Sequence, residues 1–212
     1  MTKVWDGFIR GFHWLLVAAL VALYITGEEG MMEWHFVIAY LLLALMITRL
    51  IWGVIGSQTA KLSALFHSPK AIVAALKSKQ PHVGHNPAGS LMVLLFFALI
   101  LVQLISGLMT TDDILVEGPL VQYISYDLAQ LAGDVHHTNI EFIIAAIVVH
   151  IAAIVLYRLK GQNLVKTLLS GKQAELSSQP KMRSGLIAYG IFVLLSALLL
   201  FTWGAEPLSY LL

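Results

Sequence analysis

The chain has 212 residues, 58% of them apolar and 12% charged, with a formal net charge of +1 and no cysteine. A soluble domain would carry about twice that charged fraction, so the composition excludes a water-soluble globular protein and points to an integral membrane protein. The lack of cysteine excludes disulfides, thiolate metal sites, cysteine-ligated iron–sulfur clusters and c-type haem attachment.

Five apolar stretches are expected to form membrane-spanning helices, at about 8–26, 34–53, 90–109, 136–157 and 185–203. Each is close to the twenty or so residues that cross the hydrocarbon layer. The fold class is therefore all-α: a four-helix core plus a fifth transmembrane helix, in one domain spanning 1–212. The first stretch is too long for a signal-peptide core, and TGEEGMME after it is not an obvious cleavage site, so no cleaved leader is expected. Between the second and third spans, QTAKLSALFHSPKAIVAALKSK sets apolar residues at helical spacing among lysines. One or two interfacial amphipathic helices, broken at Pro69, are expected there. Between the third and fourth, PLVQYISYDLAQLA is expected as a surface helix. The plainer account of both segments is that they seal the edge of the bundle.

All thirteen basic residues fall on one side of this arrangement. Lys3 and Arg10 open the first span and Arg49 closes the second, while the rest fill the second-to-third and fourth-to-fifth connections. The opposite side holds Glu28, Glu29, Glu33, Asp112, Asp113, Glu117, Asp127, Asp134 and Glu206, with no lysine or arginine. The positive-inside rule then puts the N-terminus in the cytoplasm and the C-terminus in the periplasm, in a cell inner membrane.

Four histidines lie in or at the edge of spans, where an imidazole without partners is costly. His136 and His150 share the fourth span. Fourteen residues of helix rise about 21 Å in nearly four turns and return within about 40° of the same face. His13 lies fourteen residues before Gly27, at the outward end of the first span, which puts it at the depth of His150. His35 begins the second span, at the depth of His136. Two facing pairs stacked across the membrane are what two bis-histidine b-type haems require: His35 with His136 toward the outside, and His13 with His150 toward the cytoplasm. A single such histidine is more often a helix contact than a ligand; the matched set is what favours haem. Zinc competes poorly, because two separated two-histidine sets lack its usual three or four ligands. His137 rivals His136 but points 100° away, and its 13-residue spacing to His150 gives a poorer offset, near 60°.

Arg10 lies one turn before His13, where its guanidinium is placed either to pair with a haem propionate or to anchor the helix at the interface. Arg49 and Arg158 carry the same two readings. Gly11, Gly27, Gly53 and Gly107 allow close helix approach or make room for a macrocycle. His82 and His85, in KQPHVGHNPAGS, either pin a turn before the third span or help bind a quinone headgroup.

These residues carry a family likeness over nearly the whole chain. WDGFIRGFHW, EWHFVIAYLLLALMITRLIWGVIGSQTAKLSAL, GHNPAG and the fourth-span histidines fourteen apart resemble the bacterial di-haem cytochrome b561 and NiFe-hydrogenase cytochrome b superfamily. The resemblance implies ligation by His13, His35, His136 and His150. It departs from the family at His137, where an acidic residue usually follows the first histidine. It further implies quinone-linked electron transfer, with quinone chemistry near the cytoplasmic haem and hence near His85. The implied partner is a periplasmic c-type cytochrome or a NiFe-hydrogenase-like catalytic subunit. Five spans favour the hydrogenase-like branch over four-helix stand-alone forms.

The resulting expectation is a transmembrane electron conduit between the quinone pool and a periplasmic redox partner, possessing no catalytic residue of its own and serving as the quinone-reactive subunit of an oxidoreductase complex. A homo-oligomer stays open; no nucleic-acid partner is expected. The alternatives are a membrane anchor subunit with structural histidines and a transporter with a histidine relay.

Overall fold

The computed structural model describes residues 1–77, 84–114, 116–173 and 179–212. The expected all-α class is what it shows. Among the described residues, four helices are each long and apolar enough to span a membrane: α1 (Gly7–Glu28), α2 (Met32–Ile55), α4 (Pro87–Leu108) and α5 (Tyr126–Leu159). A short helix, α3 (Pro69–Lys77), lies between the first two and the last two. After α5 come α6 (Leu164–Ser170), α7 (Leu186–Thr202) and α8 (Ala205–Leu211). With 17 residues, α7 coincides with the expected fifth span. The chain then bends by 83° at Trp203–Gly204 into α8, which the apolar pattern did not announce.

The chain divides into two compact units, one of residues 1–91 with 157–212 and one of residues 92–156. In the first, α2 is the central helix. It buries ten residues, from Val37 to Gly53, whereas α1 buries four. α1, α7 and α8 pack on it. The start of α1 is fixed by Asp6, whose side chain accepts the Ile9 amide at 2.9 Å as an N-cap. Its second carboxylate oxygen accepts the indole N–H of Trp52, 3.0 Å away on α2. Both side chains are essentially excluded from solvent, so one carboxylate caps one helix and ties it to the next. The chain before α1 forms a two-residue antiparallel pairing, β1 (Thr2–Lys3) with β2 (Lys172–Gln173). It continues as bonds from the Val4 and Trp5 amides to the Gly171 carbonyl. Gly171 takes a left-handed conformation (φ 71°) and closes α6.

Two expectations need correction. Residues 58–65 form two short 3₁₀ turns, Gln58–Ala60 and Leu62–Leu65, and helix begins only at Pro69, where proline's missing N–H costs nothing. PLVQYISYDLAQLA is not a separate surface helix. Its first part is a turn ending at Tyr123, and from Tyr126 it is the first part of α5, which runs on without a break for 34 residues, about 51 Å. Only Gly133 interrupts the helix-forming residues there, and the preceding loop supports the extension. The Asp113 carboxylate accepts from Gln130 Nε2 at 2.6 Å and Tyr126 Oη at 3.2 Å. Of the two readings of Gly11, Gly27, Gly53 and Gly107, close approach is the one observed: Tyr189 lies beside Gly11, His35 beside Gly27, Leu62 beside Gly53 and His136 beside Gly107.

Replacing Asp6 by Ala removes the cap and leaves a buried indole N–H without its acceptor. It is expected to destabilise the protein by roughly 2–3 kcal/mol, read as a lowered melting temperature in detergent. An unchanged melting temperature would show that Asp6 does not join α1 to α2.

Candidate functional site

In the first unit, the α1–α2 hairpin sets His35 against the end of α1. Its Nδ1 lies 3.1 Å from the Leu23 carbonyl and 3.3 Å from the Thr26 hydroxyl. A carbonyl only accepts, so Nδ1 carries the proton and donates it. The Thr26 hydroxyl gives its own proton to Ala22 O at 2.8 Å and so accepts from the ring. A Cβ on Gly27 would come within 3.4 Å of His35 Cε1.

In the second unit, α5 sets His136 against α4 in the same manner. Nδ1 lies 3.0 Å from Gln103 O and 3.4 Å from Ser106 Oγ, which donates to Val102 O at 2.7 Å. A Cβ on Gly107 would lie 2.8 Å from His136 Cε1. Gln103 also donates to the His136 carbonyl at 3.1 Å and accepts from Asn139, a buried amide that bonds Leu99 O as well. His137 stands almost perpendicular to its neighbour and is exposed. His136 is thus the histidine of the pair that α4 engages.

His13 and His150 are half-buried like His35 and His136. The His150 ring meets Phe96 of α4 edge-on at 5.6 Å. Around the His13 end of the first unit lie Arg49, nearly fully buried with its guanidinium over the Phe12 ring, and the Asp6–Trp52 pair. His85 packs on Trp5 with ring centroids 4.6 Å apart. Although His85 is only half-buried overall, loss of water and then the neighbouring Arg49 guanidinium and His13 push it down to about 4. It is therefore uncharged at neutral pH. Beside it opens a cavity of about 250 Å³, lined also by Gln58, Thr59, Leu65 and Pro180. Asn86 caps α4 by accepting the Gly89 amide and donates to Tyr157 Oη at 2.7 Å, with Pro87 at the first helical position. GHNPAG is accordingly a helix start as well as a candidate site. His82 lies outside the described residues.

Arg10 turns to α6: Nε donates to Leu168 O at 3.1 Å, and a terminal nitrogen donates to Leu169 O. It satisfies carbonyls at the end of that helix, a role its sequence position gave no reason to expect.

The donor set fits a b-type haem. A neutral histidine that gives its Nδ1 proton to a carbonyl carries its lone pair on Nε2, the atom through which imidazole binds haem iron. The Prokaryotic cytochrome b561 family matches residues 4–171, a stretch that includes every candidate histidine. The chain belongs to the prokaryotic cytochrome b561 family. A relative from Cupriavidus necator, the "Probable Ni/Fe-hydrogenase B-type cytochrome subunit", is 26% identical over 211 residues, covering 80% of this chain and 86% of the relative. No solved structure matches the chain significantly. Membership in the cytochrome b561 family implies a multi-pass membrane protein, haem b and transmembrane electron transfer.

The contrast between His136 and His137 is directly testable. His136→Ala is expected to lower the haem content of the purified protein, and His137→Ala to leave it near the wild-type value. Equal content in the two variants would remove the distinction; loss confined to the His137 variant would reverse it.

Proposed function

We propose that this chain conducts electrons across a bacterial inner membrane through two bis-histidine haems, linking the quinone pool to a periplasmic redox partner. His35 and His136 hold one haem, and His13 and His150 the other. The observation that carries the proposal is the spacing within each unit. His35 lies beside Gly27, fourteen residues along α1 from His13. His136 lies fourteen residues along α5 from His150. Each unit thus offers two histidine positions separated by about 21 Å of helix rise, and one residue of each kind completes a pair of imidazole ligands.

When bound, the haems supply the one-electron chemistry. The protein's work is to place the ligands, hold their protons on Nδ1 and keep water away. The N–H donors of Arg10 not engaged by α6 are assigned to a propionate. The charge asymmetry of the connections supports a cytoplasmic N-terminus, which puts the His35–His136 haem on the periplasmic side and treats 1–212 as one functional domain. The acidic loops on that side would attract a basic c-type cytochrome. The hydrogenase-linked name of the relative instead favours a NiFe-hydrogenase-like catalytic subunit. On the cytoplasmic side we assign quinone to the cavity beside His85, an uncharged imidazole that can hydrogen-bond a quinone oxygen.

Two experiments test this reading. His13→Ala and His150→Ala are each expected to reduce the pyridine haemochrome stoichiometry from two to one and to remove the same haem. Removal of the haem shared with His35 by either variant would refute the pairing. His85→Ala, retaining both haems, is expected to lose reduction by quinol while keeping reduction by dithionite. Unchanged quinol kinetics would dismiss His85 from the quinone site.

A further inference from the structure

The contacts of His35 and His136 repeat one another atom for atom. On α1 the elements are Ala22 O, Leu23 O, the Thr26 hydroxyl and Gly27. On α4 they are Val102 O, Gln103 O, the Ser106 hydroxyl and Gly107. Every member is displaced by 80 positions, and both helices are 22 residues long, from Gly7 and from Pro87. The histidines themselves come from α2 and α5 and are displaced by 101, so the match does not follow from one uniform shift of the chain.

We propose that Thr26–Gly27 and Ser106–Gly107 are two copies of one histidine-orienting clamp. The carbonyl and the hydroxyl together accept the Nδ1–H hydrogen bond, and the glycine makes room for the ring edge. The clamp therefore fixes the tautomer and the direction of Nε2. The inference rests on the haem reading above. In that setting Thr26 and Ser106 are positioning residues that act on the iron through the imidazoles.

A hydroxyl in a membrane helix often bonds the carbonyl one turn back, and both hydroxyls do so here. That habit does not account for a ring nitrogen on the same hydroxyl, nor for a glycine as the next residue, and this structure has both features twice. A partner that accepts the Nδ1–H hydrogen bond makes the imidazole a more basic ligand. More donation favours ferric over ferrous iron, so each hydroxyl lowers the reduction potential of the haem its histidine holds.

The test is a redox titration of the purified, haem-loaded full chain. Thr26→Val and Ser106→Ala remove one acceptor while Leu23 O and Gln103 O remain. Both are expected to keep two haems and to move the same redox wave upward, with the other wave fixed. Thr26→Ser and Ser106→Thr, which restore a hydroxyl, are expected to return that wave to its wild-type position. The glycines give a second readout through haem content. A Cβ at Gly107 meets the ring at 2.8 Å and one at Gly27 at 3.4 Å, so Gly107→Ala is expected to lose one haem and Gly27→Ala to retain both. Wild-type protein with two haems, combined with unmoved waves in Thr26→Val and Ser106→Ala, would overturn the clamp and leave the haem reading standing. Wild-type protein without haem would overturn both.

Discussion

An imidazole set among apolar helices loses water at both ring nitrogens, and its polar atoms must find partners within the protein. For His35 and His136 the Nδ1 side is met by a helix carbonyl and a hydroxyl. The choice of a carbonyl decides the chemistry of the whole ring. Once Nδ1 carries the proton, the lone pair is on Nε2, in a fixed direction and free to bind a metal. The polar residues of α1 and α4 nearest these rings are there to make that arrangement affordable in hydrocarbon.

Around the His13 end of the first unit, charged and polar side chains tie the helix ends together. Asp6 caps α1 and receives the Trp52 indole, Arg49 lies over Phe12, and Arg10 reaches the last carbonyls of α6. Asn86 caps α4 and holds Tyr157. The short β1–β2 pairing fastens the chain's start beside the end of α6. These contacts join the segments flanking His13 and His85 into one network, so substitutions there are expected to affect stability and the cavity beside His85 together.

The spans were legible because they depend on sequence periodicity and length, and the four histidines stood out as candidates for the same reason. Apolar runs of about twenty residues have one solution in a bilayer, and a 14-residue spacing sets both depth and face. What stayed hidden depends on three-dimensional proximity. Thr26 and Ser106 look like ordinary small polar residues until the rings of α2 and α5 come against them, although a hydroxyl followed by glycine in both the first and third apolar runs was visible in the sequence. The extension of α5 to Tyr126 depends on Asp113 bonding Gln130 and Tyr126. Residues 58–65 have the helical spacing of apolar residues but form 3₁₀ turns, a choice that spacing alone does not decide. Arg10 was read from its distance to His13, yet α6, more than 150 residues later, takes its donors.

The central claim is that this member of the cytochrome b561 family is a two-haem conduit whose ligands are placed by the helices themselves. The most direct measurement is the haem content of the purified wild-type chain, by pyridine haemochrome assay together with the reduced-minus-oxidised spectrum. Two b-type haems per polypeptide, both low-spin, are expected. A chain that binds no haem, or only one, when purified with saturating haem would contradict the account.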